Sequence, residues 1–129
     1  MAFLGLDHIC IDVSDMKAAK DFYIGKLGFV ETAPANVQGK IETVFLQAGG
    51  VIVDVKCPVD GKVQAKAQGQ SFEPGINHIA FKVDDIQKTY RELSAKGVSF
   101  KGEPKFMAHS NRWIAIFHDP DGNCFHLTT

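Results

Sequence analysis

The stretch LDHICIDVSD at residues 6–15 returns, altered but recognisable, as INHIAFKVDD at residues 76–85. At an offset of seventy, Gly5 falls on Gly75, His8 on His78, Ile9 on Ile79, Val13 on Val83 and Asp15 on Asp85. A repeat of this kind is settled before any fold is assigned, because it divides the chain into equivalent units. In each copy the alternating apolar residues, Leu6 to Val13 and Ile76 to Val83, predict a strand, and the Asp/Ser pair that follows offers an N-cap to a helix. The helices start at Met16 and Ile86 and stop before Gly28 and Gly97, each placed where a left-handed residue closes a helix. Segments rich in β-formers, FVE and VSF, come next.

The remainder repeats at an offset of seventy-two. TVFLQAGGVIVDVK (residues 43–56) lies against AIFHDPDGNCFHLT (residues 115–128) when Phe45 is set on Phe117 and Gly50 on Gly122. Both copies read as strand, tight Gly-containing turn, strand. Each unit is therefore β-α-β-β-β, an α+β pattern, with modules at residues 3–57 and 75–129 of one domain covering 1–129. The polar, Pro-bounded stretch from Cys57 to Gly75 supplies the linker, residues 58–74.

At 129 residues the chain is long enough to bury an ordinary core without disulfides. The formal net charge is −1, with no acidic or basic block, which argues against nucleic-acid phosphates or an anionic membrane as partners. The first residues lack the charged region and apolar run of a signal peptide, and no apolar stretch approaches the roughly 20 residues that span a bilayer. A cytoplasmic protein is expected. Cys10, Cys57 and Cys124 show no C-x-x-C spacing and read as small apolar residues.

Alternate side chains of a strand project to opposite faces. Ile9, Ile11 and Val13 form the apolar face of the first strand and leave His8, Cys10 and Asp12 on the other. Ile79, Phe81 and Val83 likewise leave His78, Ala80 and Lys82. In the last strand of each unit, Val53 and Val55 point away from Asp54, and Phe125 and Leu127 away from His126. Four groups, His8, Asp54, His78 and His126, thus occupy two pairs of equivalent positions on the face away from the helices. Any one of them alone reads more simply as a hydrogen-bonded strand residue. Matched pairwise by the repeat, they outline a metal site.

The whole chain, residues 3–129, resembles the vicinal oxygen chelate superfamily, which groups glyoxalase I, methylmalonyl-CoA epimerase, extradiol dioxygenases and bleomycin-resistance-type proteins. LDHICIDVSDMKAAKDFYIGKLGF, INHIAFKVDDIQKTYRELSAKGV and FHDPDGNCFHLTT carry the resemblance. It implies that the paired modules form an open eight-stranded mixed barrel around a divalent metal, with ligands on the first and last strand of each module. Those positions match His8, Asp54, His78 and His126. The last-strand ligands of the metal enzymes are usually Glu, so Asp54 and His126 depart from the pattern. Two or three imidazoles with at most one carboxylate suit zinc, nickel, iron or cobalt better than magnesium or calcium. Asp54 is then either the fourth ligand or a general base, and His126 a ligand with a possible share in proton transfer.

The resemblance further implies a small-molecule substrate that chelates the metal through two vicinal oxygens, and enediolate chemistry of the lyase or isomerase kind. An extradiol-type dioxygenase and a non-catalytic drug-binding protein are the rival readings. MAHSNR, residues 107–112, reads as a polar loop at the mouth of the site, where Arg112 and Asn111 meet substrate and Arg112 holds an anionic tail. Cys10 lines the pocket beside His8, and His118 is structural. A homodimer is expected, because short two-module members bury strand edges against a second chain.

Overall fold

The structure, a computed structural model, describes residues 2–61 and 74–129. It divides into two compact units, residues 1–65 and 66–129. The linker expected at 58–74 lies mostly outside the described residues. Its first residue, Pro58, is the last of a strand, paired with Ile41.

The first unit contains β1 (His8–Asp12), α1 (Met16–Lys20), β2 (Val30–Gln38), β3 (Ile41–Ala48) and β4 (Val51–Pro58). Its sheet runs β1-β4-β3-β2, with β1 parallel to β4 and the other pairs antiparallel. The second unit contains β5 (Ile79–Lys82), α2 (Ile86–Ala95), β6 (Lys105–Met107), β7 (Arg112–His118) and β8 (Cys124–Thr128), in the order β5-β8-β7-β6. The β-α-β-β-β pattern and the α+β class are as expected. β1 and β5 are shorter than the alternating stretches: pairing with β4 starts at His8 and pairing with β8 at Ile79. Phe100 makes one bridge to Phe117 in place of the strand expected at VSF.

Local chemistry accounts for the helix ends. The Asp15 carboxylate accepts from the Ala18 N–H at 3.1 Å and the Asp85 carboxylate from the Lys88 N–H at 2.9 Å, each satisfying a donor of the first turn. Gly97 follows α2 at φ 89° and closes it with Gly97 N–H to Ser94 and Val98 N–H to Leu93, burying Val98 and Leu93 together. In the first unit the same span holds one residue more, since Asp15 to Asp85 is seventy positions and Gly28 to Gly97 sixty-nine. The extra residue is absorbed by a π-helical turn, Asp21–Lys26, in which the Leu27 N–H reaches back to the Phe22 carbonyl. The widened turn places consecutive aromatics, Phe22 and Tyr23, both in the core.

Strand parity sorts the faces as expected. Ile11, Val44, Leu46, Val53 and Val55 are buried with Ala19, Phe22 and Tyr23 of the helical segment. In the second unit Ala115, Phe117, Phe125 and Leu127 are buried, as are Ile86 and Leu93 of α2. The opposite, open face of each sheet carries the polar groups.

One alignment needs correction. Phe45 pairs with Asp54, whereas the residue paired with His126 is Ile116, not Phe117. Phe117 pairs with Phe125 and is buried on the helix side. Phe45 therefore matches Ile116, and the offset between β3 and β7 is seventy-one. The difference lies in the turn. Ala48 and Val51 enclose Gly49 and Gly50, while Asp119 and Asn123 enclose three residues. That longer turn is held by the buried Asp119 carboxylate, which accepts from Asp121 N–H (3.0 Å), Asn123 N–H (2.8 Å) and Asn123 Nδ2 (2.8 Å). Gly122 supplies the left-handed residue at φ 86°. The slip matters for function, because it turns His118 onto the open face beside His126 and matches it to Gln47.

Candidate functional site

On the open face of the first sheet, Cys10 stands opposite Asp54, with His8 one step back on β1 and Phe45 beyond on β3. The His8 ring gives its Nδ1–H to the Asp7 carboxylate at 2.7 Å, since the carboxylate only accepts, and Nε2 is the ring nitrogen that this contact leaves unengaged. Asp54 is partly buried, and its Oδ1 is enclosed with no hydrogen-bond partner. An unmet buried acceptor costs about 1–3 kcal/mol, so this oxygen is poised for a cation or a donor. Burial pushes the Cys10 thiol up; Lys56 opposes the rise, and Asp12 and Asp54 add to it. Cys10 thus lines the face as a solvent-exposed thiol, and its raised pKa disfavours the thiolate.

The second sheet repeats the arrangement with different chemistry. His78 Nδ1 contacts the Asn77 side-chain oxygen at 2.8 Å, so the second first-strand imidazole is oriented in the same way as the first. His126, opposite Ala80 and Ile116, stacks on His78 with ring centroids 3.7 Å apart and 9° between planes. Burial lowers the His126 imidazole to about 4, with His78 and then His118 adding to the effect. It is neutral at pH 7, the form that donates a lone pair to a metal. Asp7 and Asn77 were not singled out from the sequence, although they fall on each other at the seventy offset and each directly precedes its histidine.

A family profile, Glyoxalase/Bleomycin resistance protein/Dioxygenase superfamily, matches residues 5–127. The chain belongs to this superfamily. Among its relatives, the uncharacterized protein YurT of Bacillus subtilis is 32% identical over 121 residues, covering 91% of this chain and 92% of that protein. An ethylmalonyl-CoA/methylmalonyl-CoA epimerase of Cereibacter sphaeroides is 29% identical over 122 residues, covering 92% and 90%. The crystal structure of a glyoxalase family protein from Enterococcus faecalis superposes with a TM-score of 0.86 at 25% identity, covering all of both chains.

Members of the superfamily commonly use divalent metals, and the candidate positions of this chain carry imidazole and carboxylate groups. Two imidazoles are held by Nδ1 with Nε2 left unengaged by that contact, a third is neutral, and a carboxylate oxygen is buried without a partner. Ligating histidines are characteristically fixed through the other ring nitrogen in this way. The donors are prepared in pairs; among the described residues no three His, Cys, Asp or Glu side chains stand together closely enough to hold an ion.

The remaining residues expected at the site lie farther out. Arg112 opens β7 on the same face as Ile116, four residues from it, which is about 13 Å along a strand. Asn111 sits in the turn 108–111 at φ 52°, with its N–H to the Ala108 carbonyl. The open face of the first sheet also has a cavity of about 370 Å³ beyond Asp12, lined by Asp12, Gln38, Ile41, Thr43, Lys56 and Pro58 among others. No helix among the described residues is long and apolar enough to cross a membrane.

Proposed function

We propose that the chain is a metal-dependent lyase or isomerase acting on a small substrate that offers two neighbouring oxygens. His8 and Asp54 of the first unit, and His78 and His126 of the second, are the groups that would serve a divalent metal, with Asp54 a ligand or the general base. The observation that carries this reading is the matched pair of Nδ1 hydrogen bonds, His8 to Asp7 and His78 to Asn77, which leaves the same ring nitrogen of both histidines open. When bound, a divalent ion supplies Lewis-acid stabilisation of the negative charge that develops on a substrate oxygen as the adjacent C–H ionises.

The chain's own groups do the rest. The Asp54 carboxylate is the group to accept the proton from carbon. An isomerase must also return a proton, and His126, at the equivalent position, is the group to share that task. Arg112, exposed and distant along the sheet, binds an anionic tail. Relationship to the Cereibacter epimerase favours a proton next to a thioester or similar carbonyl as the one moved. The protein works in the cytoplasm as a homodimer.

The test combines two measurements on untagged protein purified without chelators. Plasma mass spectrometry is expected to find about one transition metal per chain, lost in a His8→Ala, His78→Ala variant. Proton NMR in deuterated buffer is expected to show exchange of the hydrogen next to the carbonyl of a short acyl thioester. Iron as the resident metal, with oxygen uptake on a catechol, would replace this reading with the dioxygenase. Absence of metal in both samples after reconstitution would replace it with a binding protein.

A further inference from the structure

The proposed chemistry leaves unused the cavity of about 370 Å³ on the open face of the first sheet. It lies within the first unit, and the side chains around it come in two rows across the strands. Asp12, Lys56 and Thr43 are successive register partners on β1, β4 and β3. Two residues further along, Pro58, Ile41 and Gln38 are partners on β4, β3 and β2. Strand parity puts both rows on the face of Asp54, beyond it on β4. The first row is charged, and the second is apolar and ends in an amide. The charged row is also left open. Asp12 and Lys56 stand on neighbouring strands, about 4.8 Å apart by sheet geometry. The ion pairs of the described residues nevertheless leave both out. Among the described residues the Thr43 hydroxyl and the Gln38 amide likewise have no hydrogen-bond partner.

We infer that this cavity binds a small zwitterion of the α-amino acid type, with its carboxylate on Lys56, its ammonium on Asp12 and an apolar side chain along Ile41 and Pro58. An ion of one sign meets as much repulsion as attraction from such a pair, whereas a molecule with both charges on adjacent carbons satisfies both. Lys56 only donates and Asp12 only accepts, which fixes the end of the ligand that each one takes. Thr43, next to Lys56 in the row, adds a hydroxyl donor for the same carboxylate. The volume lies at the lower end of the range for small-molecule sites, about 300–1,000 Å³, as a ligand of this size requires. None of these groups needs a metal to act, so the subsite is independent of the ion proposed for His8 and Asp54.

The experiment is a proton–nitrogen NMR titration of the chelator-treated full chain with L-leucine, raised to about 10 mM. Saturating shifts are expected at the amides of Asp12, Thr43 and Lys56. Two fragments of leucine provide the comparison: isocaproate, which lacks the ammonium, and isoamylamine, which lacks the carboxylate. Each is expected to bind about tenfold or more weakly, since it leaves one charge of the pair unmet. Lys56→Met keeps the apolar stem and Asp12→Asn keeps the shape; each is expected to weaken leucine about tenfold, with thermal unfolding showing that both variants remain folded. Absence of shifts at the highest concentration, a fragment that binds as tightly as leucine, or leucine binding unchanged in both variants overturns the inference. Because the metal is stripped beforehand, any of these results leaves the proposed function standing.

Discussion

The two halves share one topology, one pair of N-caps and one pair of oriented histidines, yet they differ in what surrounds them. Beside His8 the first sheet sets a carboxylate, Asp54, with one oxygen buried and unpaired. Beside His78 the second sets an imidazole, His126, kept neutral by burial. The open face of the first half thus carries an enclosed carboxylate oxygen, and that of the second a pair of stacked imidazoles. The repeat supplies the common frame, and the residues on the open faces are where its two copies differ.

The sharpest way to break this comparison is to exchange the last-strand groups. Asp54→Asn removes a base without changing shape and is expected to lower kcat/KM about 10²–10⁴-fold with metal content retained. Metal lost in step with activity would make Asp54 a ligand and erase the division of labour. A second test addresses the cores. Phe117 is buried against Phe100 and Phe125, so Phe117→Ala is expected to cost about 3–5 kcal/mol in denaturant unfolding. Val53→Ala, in the aliphatic core of the first half, removes fewer atoms and costs less.

The pH response separates the halves without touching the substrate. His126 takes its proton near pH 6.5 when unfolded and near 4 when folded. Between these values the unfolded chain binds more protons, so metal-free protein loses stability as pH falls through that window. Thermal unfolding from about pH 7 to about pH 4 is expected to show this decline, and His126→Gln to lessen it; an unchanged slope in the variant would mean that folding does not shift the His126 imidazole. The smallest effects are those the halves share. Asp15→Ala and Asp85→Ala are each expected to cost about 1 kcal/mol, and a large inequality would show that the two caps are not equivalent.

Much of this was legible in the residues. Met16 and Ile86 open their helices behind Asp15 and Asp85, and His8, Asp54, His78 and His126 all lie on the open faces, because caps and strand parity depend on neighbours in sequence. Asp7 and Asn77 were overlooked, since a polar residue ahead of a strand is ordinary until its contact with the histidine is seen. That His118 faces Cys124 was not legible, because it depends on which residues of β7 and β8 pair, and a continuous offset of seventy-two conceals the extra residue between them.

By itself, then, the sequence determined the duplication, the helix starts and the alternation of faces, all of which follow from interactions within a few residues of chain. Only the tertiary structure decided how two one-residue differences were absorbed, one as a π-helical turn and one as a longer hairpin. It also decided that Asp54 keeps an unmet oxygen and that His126 rests on His78. Register and burial are properties of strands after they pair, and a shift of one residue reverses every side chain.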